Sequence, residues 1–245
     1  MKTTKKLESK CRTPSRQPLA VMRRQSGSEI INSPQKGQKT KYKMKYNEFD
    51  KKYYVMNVDG ANNHPILAWG STSKSPFLKA QPIEEEKLSL PLEVLFAEPY
   101  PAMCEMADFL LLGAQFAASQ QLKSLIEELN IYGMQFFPLE IKSNKGEIIT
   151  NHFLIHYWNR LSAIDKNNYD GEEPNMFGNI LRLNKFSLDE TLLSETPLEK
   201  RKIFTLSEKN NMVIIHKTVH EALVSANLTG IRFFRVDEWN SNVMF

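Results

Sequence analysis

The segment Ser119-Gln-Gln-Leu-Lys-Ser-Leu-Ile-Glu-Glu-Leu-Asn-Ile-Tyr-Gly133-Met-Gln-Phe-Phe137 recurs in outline 97 residues later, as His216-Lys-Thr-Val-His-Glu-Ala-Leu-Val-Ser-Ala-Asn-Leu-Thr-Gly230-Ile-Arg-Phe-Phe234. Asn130, Gly133, Phe136 and Phe137 match Asn227, Gly230, Phe233 and Phe234. Leu122, Leu125, Ile126 and Leu129 fall at i, i+3, i+4, i+7, as do Val219, Ala222, Leu223 and Ala226. That spacing predicts one buried stripe on each of two amphipathic helices. Ser119 is the expected N-cap of the first. His216 stands at the same place in the second, with Thr218 and Glu221 offering a capping box slightly later. A glycine takes the left-handed conformation near a helix C-terminus without steric cost, so Gly133 and Gly230 are the expected stops. The Phe-Phe runs after them are strand-like, and apolar Phe109–Leu112 and Met212–Ile215 precede the helices. The expected fold is α+β: mixed sheets around two similar helix–glycine–strand units.

Outward from these segments the texture is mostly β. Lys52–Val58 is β-branched and aromatic and ends at Asp59-Gly60, the pattern of a strand and its exit. Residues 61–102 carry six X-Pro dipeptides, which favours short strands and loops over helices. After the turn signal Lys145-Gly146, Glu147–Ala163 has the composition of a strand pair or one long strand. Asp165–Asn175 has that of an acidic, turn-rich loop. Leu188–Lys202 suits a short helix that starts at Ser187 or Asp189 and is broken by Pro197.

The charge is unevenly distributed. Residues 1–46 hold thirteen Lys or Arg against Glu8 and Glu29, a net charge of +11; the remaining 19 bases and 26 acids leave residues 47–245 at −7. The first 46 residues have no aromatic before Tyr42 and no sustained apolar period. Little there offsets the entropy of ordering, so they are expected to be a disordered basic arm before one body at 47–245. In one version of that expectation Met44 is the natural start. Such an arm also suits contact with nucleic acid, a competing function. Two cysteines, Cys11 and Cys104, cannot build a disulfide framework or a four-cysteine zinc site. No apolar run approaches the roughly 18 residues of a membrane span, and Pro18–Met22 is too short for a signal h-region, so the expected compartment is the cytoplasm.

A search for catalytic constellations finds none. The chain has no GxxxxGK[ST], GxGxxG, GxSxG or HExxH pattern and no paired CxxC, and Cys104 is expected to be a buried structural thiol. His152 and His156 fall on a strand-like segment, where residues four apart sit roughly 13 Å from one another, too far for one metal ion. His216 and His220 border a helix, where the spacing suits zinc, but neither cysteine nor carboxylate completes a site. A metal-dependent enzyme using His216 and His220 is therefore the weaker alternative. No cofactor is expected.

Three stretches carry a resemblance: Tyr53–Asp59; Asp108-Phe109-Leu110 through Phe136-Phe137-Pro138-Leu139-Glu140; and Ile203-Phe204 with Val213-Ile214-Ile215 through Leu228-Thr229-Gly230-Ile231-Arg232-Phe233. Over about residues 50–236 the chain resembles the bacterial immunity family DUF1629, the Imm11 type, whose members sit beside polymorphic toxin genes. It departs at His216, where the family pattern has Ser, and in the basic arm. The resemblance implies a cytoplasmic protein that binds and neutralises a cognate toxin encoded nearby, often a nuclease, and has no catalytic residues of its own.

A basic toxin calls for exposed, clustered acids with aromatics to supply buried area. Asp165, Asp170, Glu172 and Glu173 with Tyr169 form the first candidate partner-binding cluster, and Glu84, Glu85 and Glu86 the second. Trp158, Trp239 and Tyr157 are further candidate anchors, each weighed against a place in the core.

Overall fold

The computed structural model describes residues 43–60, 63–70, 79–101 and 104–244. The first 42 residues of the expected arm lie outside them. Lys45, inside that expected arm, donates its N–H to Asn168 Oδ1 at 3.2 Å, and Asn168 Nδ2 donates to Lys45 O.

In chain order, β1 (Tyr53–Val58), β2 (Leu67–Trp69), a 3-10 turn at Glu85–Lys87 and β3 (Leu92–Phe96) come first. Then follow β4 (Phe109–Leu112), β5 (Gln115–Ser119), α1 (Gln120–Glu128), β6 (Met134–Lys142), β7 (Ile148–Ile149), β8 (His152–Tyr157) and β9 (Arg160–Leu161). β10 (Ile164–Gly171), β11 (Leu183–Leu188), α2 (Glu190–Glu195) and α3 (Leu198–Arg201) lead to β12 (Ile203–Leu206), β13 (Lys209–His216), α4 (Lys217–Ser225) and β14 (Ile231–Arg235). The fold is thus mixed α+β and mostly strand.

Six strands close into a barrel in the order β3-β2-β4-β5-β8-β6, completed by parallel pairing of Leu92–Leu95 with Leu139–Lys142; β7 adds to the edge of β6. Alternation along β3 fills the interior: Leu92, Val94 and Phe96 are buried while Glu93 and Leu95 are exposed. Leu67, Leu112, Phe137, Leu139 and Leu154 complete that core. A second sheet, β14-β1-β13-β12-β9, stands beside the barrel.

Strands between two cores lose the alternation, because both faces are covered. In β4, Leu110 and Leu112 face the barrel core while Phe109 joins a second cluster. In β13, Val213 and Ile215 join that same cluster, while Met212 and Ile214 turn to a third. The shared cluster holds Leu122 and Ile126 of α1 and Val219 and Leu223 of α4, so both apolar helix stripes sink into one core. Each such side chain contributes roughly 1.5–3 kcal/mol by leaving water.

The helix starts follow local chemistry. Ser119 Oγ accepts from Leu122 N at 3.2 Å, Asp189 caps α2 through Leu192 N at 3.0 Å, and His216 Nδ1 accepts a longer 3.4 Å bond from Thr218 N. The helix stops differ from expectation. Asn130 (φ 49°) and Asn227 (φ 51°) take the left-handed position just past the C-caps Leu129 and Ala226 of α1 and α4. Gly133 (φ 85°) and Gly230 (φ 79°) come three residues later, at the strand entry. Their requirement is contact as well as φ: a Cβ on Gly133 would lie 2.0 Å from Asn159 Cβ, and one on Gly230 2.4 Å from Phe109 O.

Both glycine turns dock on the neighbouring sheet. Gly133 O accepts from Asn159 N, and Asn159 Nδ2 donates to Ile203 O of β12 at 2.9 Å. Beside Gly230, Thr229 donates its N–H and its hydroxyl to Asp108 Oδ2, both at 2.8 Å, while Ser119 Oγ donates to Asp108 Oδ1 at 2.6 Å. Burial pushes the Asp108 carboxyl up, but these bonds together outweigh it and hold the group below its ordinary value.

Two further expectations change. Glu147–Ala163 is divided among β7, β8 and β9 rather than forming a pair or one strand. Asp165–Gly171 is not a loop: it is strand β10, paired antiparallel with β11 as a two-stranded ribbon. Its sequence hides this because only Ile164 and Asn168 of β10 are buried, and an irregularity between Ile164 and Tyr169 breaks the alternation. Pairing with the apolar β11 makes it a strand.

Candidate functional site

The ribbon places the first acidic cluster on two sides of β10. Asp165 opens onto a polar cavity of about 540 Å³ with Tyr46, Asn167, Asp189 and Glu190. Tyr169 and Glu173 open onto another, of about 370 Å³, with Ile180 and Glu208. The expected single cluster is therefore split by the strand.

Its acids are also partly matched by bases. Asp170 lies opposite Lys185 in the ribbon register and accepts from Asn184 Nδ2 at 3.4 Å. Glu172 sits 3.8 Å from Arg182 Nε, a pair exposed enough to contribute little stability. Tyr169 OH donates to Glu173 Oε2 at 3.5 Å; desolvation and then the Glu173 charge push the phenol up. Asp170, Glu172 and Glu173 are exposed; Asp165 and Tyr169 are half-buried.

The second cluster lies elsewhere, on the barrel. Glu84, Glu85 and Glu86 are exposed around a single 3-10 turn, and Lys87 pairs with Glu84 at 2.6 Å. The chain just before them is clamped to β6: Ile83 N donates to Gln135 Oε1 at 2.8 Å and Gln135 Nε2 donates to Ile83 O at 2.9 Å. Glu85 lines a cavity with Ile126, Asn130 and Phe136 that contains no residue of the first cluster.

The histidines have structural partners. His152 Nε2 donates to Ala107 O and His156 Nε2 to Gln81 O, both at 2.9 Å, and both rings are buried rather than solvated. Burial first of all lowers the pKa of each. His216 caps α4 edge-on to Tyr53, and His220 stacks flat on Tyr54 at 3.9 Å between centroids. Among the described residues no three His, Cys, Asp or Glu side chains gather as a metal site, and no helix is long and apolar enough to cross a membrane. Cys104 is half-buried and packs against the barrel core rather than lying fully inside it. Trp239 and Tyr157 are core residues; Trp158 is half-buried against Tyr132.

Residues that the sequence reading passed over stand at the ribbon's tip. Residues 172–182 join β10 to β11, and there Met176 is 90% exposed, Phe177 80% and Leu181 70%. Below them Glu208 is 8% exposed; its Oε1 accepts from Ser162 Oγ at 2.6 Å, while Oε2 is buried with no hydrogen-bond partner among the described residues. The signal for the tip is Met176-Phe177 bracketed by Pro174-Asn175 and Gly178-Asn179, an apolar pair inside turn chemistry. Glu208 gives none, since Glu208-Lys209 has the look of an ordinary charged hairpin turn.

The sequence model of the Immunity protein family (Imm11) matches residues 70–238, most of the chain, and the chain belongs to that family. A search among curated proteins finds no match.

Proposed function

We propose that this member of the immunity family binds and neutralises a cognate toxin, encoded beside it and of nuclease type, in the cytoplasm, and that it does so by occupation of the toxin's active site or substrate path without catalysis of its own. Family membership over residues 70–238 carries the reading. The −7 charge of residues 47–245 supports it, because a nuclease must attract phosphate and an acidic inhibitor uses the same field to speed association. Asp170, Glu172 and Glu173 on the ribbon are the acids proposed to meet the toxin, and Glu84–Glu86 the second choice. The test is co-expression with the neighbouring toxin gene. Protection of the host at equal dose is expected; undiminished toxicity sinks the proposal.

We also read Phe109–Lys142 and Ile203–Arg235 as two copies of one structural unit. Each runs hairpin, helix, left-handed Asn, glycine, strand, and in each the strands flanking the helix pair with the same intervening strand, β8 in the first and β1 in the second.

A further inference from the structure

We infer that the 172–182 tip of the ribbon is the docking element for the toxin: Met176, Phe177 and Leu181 enter an apolar recess of that partner, and a basic side chain of the partner, an arginine by its reach and shape, enters the cavity beneath them toward Glu208. The inference rests on the toxin-binding reading above and names its surface.

The tip is fixed before anything binds. Asn175 organises it: Oδ1 accepts from Phe177 N and Asn179 N, its carbonyl accepts from Gly178 N, and its N–H donates to Asn179 O at 2.9 Å. The far arm is pinned to the β12–β13 turn, with Ile180 N donating to Glu208 O at 2.8 Å and Lys209 Nζ to Leu181 O at 2.6 Å. Ile180, at 2% exposure, anchors it to the core. A loop so restrained has lost the freedom to tuck its apolar side chains away. Single exposed apolar residues are ordinary; three large ones within six positions, on a pre-ordered projection, are the composition of an interface anchor. Pre-ordering also removes most of the entropy cost of docking.

The cavity says what lies opposite. Its walls are apolar at Ile164, Pro174 and Ile180, and Tyr169 and Glu173 stand at it as a hydrogen-bonded pair. Glu208 lines it, and one oxygen of that carboxylate is buried with no hydrogen-bond partner among the described residues, a group costly to leave unmet. Two carboxylates against the single ammonium of Lys166 leave the cavity a net attraction for a cation. A guanidinium on a long apolar stem satisfies the charge and covers the walls together. A basic, phosphate-seeking toxin supplies such side chains.

The test measures binding of the full chain to the inactivated toxin domain encoded beside it, with Met176→Ser/Phe177→Ser and Glu208→Gln against the unaltered chain. The double variant should weaken binding about 100-fold or more, as loss of two central anchors does. Its melting temperature should not move, since both side chains are in water. Glu208→Gln keeps the Ser162 bond and should weaken binding about tenfold, with a shallower salt dependence. If the unaltered chain binds and protects but the double variant does so equally, the docking inference is wrong and the toxin-binding reading stands. If the unaltered chain does not bind, both fall. Sedimentation of the chain alone supplies the last arm: a dimer that the double variant dissolves would make a second copy the occupant and overturn the assignment.

Discussion

Gly230→Ala, compared with Gly146→Ala, separates backbone strain from inter-sheet contact. Both glycines have positive φ, 79° and 85°. A Cβ on Gly146 meets nothing within 4 Å, so alanine there carries only the left-handed strain, about 1 kcal/mol. A Cβ on Gly230 lies 2.4 Å from Phe109 O and 2.6 Å from Ala107 Cβ, where ordinary contact begins at 3.4 Å. Phe109 cannot rotate away, because the obstructing atom is backbone and β4 is held to β5 through Phe109 and Ala118. The 227–230 turn must therefore retreat by about 1 Å, the shortfall between 2.4 and 3.4 Å. That retreat strains Asp59 N to Gly230 O and the Thr229 bonds to Asp108, each worth about 1 kcal/mol net. Overpacking in a close-packed joint costs about 1–3 kcal/mol in its own right. Gly230→Ala should lose about 3–5 kcal/mol in all, a large part of the 5–15 kcal/mol typical of a domain. Urea unfolding followed by tryptophan fluorescence and far-ultraviolet circular dichroism, at matched slope, gives both values. If the two variants lie within about 0.5 kcal/mol of each other, the contact between the Gly230 turn and β4 carries no energetic weight and the account of that joint fails.

Two other outcomes follow from the core. His152, His156, His216 and His220 all titrate below their ordinary 6.5, chiefly because burial disfavours the charged ring. The unfolded chain then holds more protons than the folded one between 6.5 and the folded values, so stability rises with pH through that window and is lost as pH falls through it. The urea midpoint should be flat above pH 7 and drop from pH 6.5 to 5; a midpoint that holds or rises there contradicts the burial argument. Trp239 is 2% exposed, edge-on to Phe186 at 5.2 Å, and its indole N–H has no hydrogen-bond partner among the described residues. Trp239→Phe should thus cost less than about 1.5 kcal/mol while Trp239→Ala costs about 3–5 kcal/mol in thermal or urea unfolding; equal losses would mean the N–H is bonded after all.

Helix positions were legible in the sequence because their causes are local. A 3.6-residue stripe at Leu122 and Ile126, or at Val219 and Leu223, needs only its own spacing, and Ser119 and Asp189 cap the turns beside them. Strand β1 was legible for the same reason, and so was membership of the immunity family, whose model matches residues 70–238. Tertiary structure alone decided the rest. The barrel closes by parallel pairing between Leu92–Leu95 and Leu139–Lys142, more than forty residues apart, and no local pattern encodes that partner. β10 is too polar to declare itself a strand and becomes one against β11. His152 and His156 are polar in sequence yet buried, because carbonyls of Ala107 and Gln81, from distant segments, arrive to meet them. Met176, Phe177 and Leu181 look like material for a core; the turn at Asn175 and the anchor at Ile180 hold them in water instead. Exposure is a property of what the rest of the chain fails to cover, and that is settled only when every long-range contact is in place.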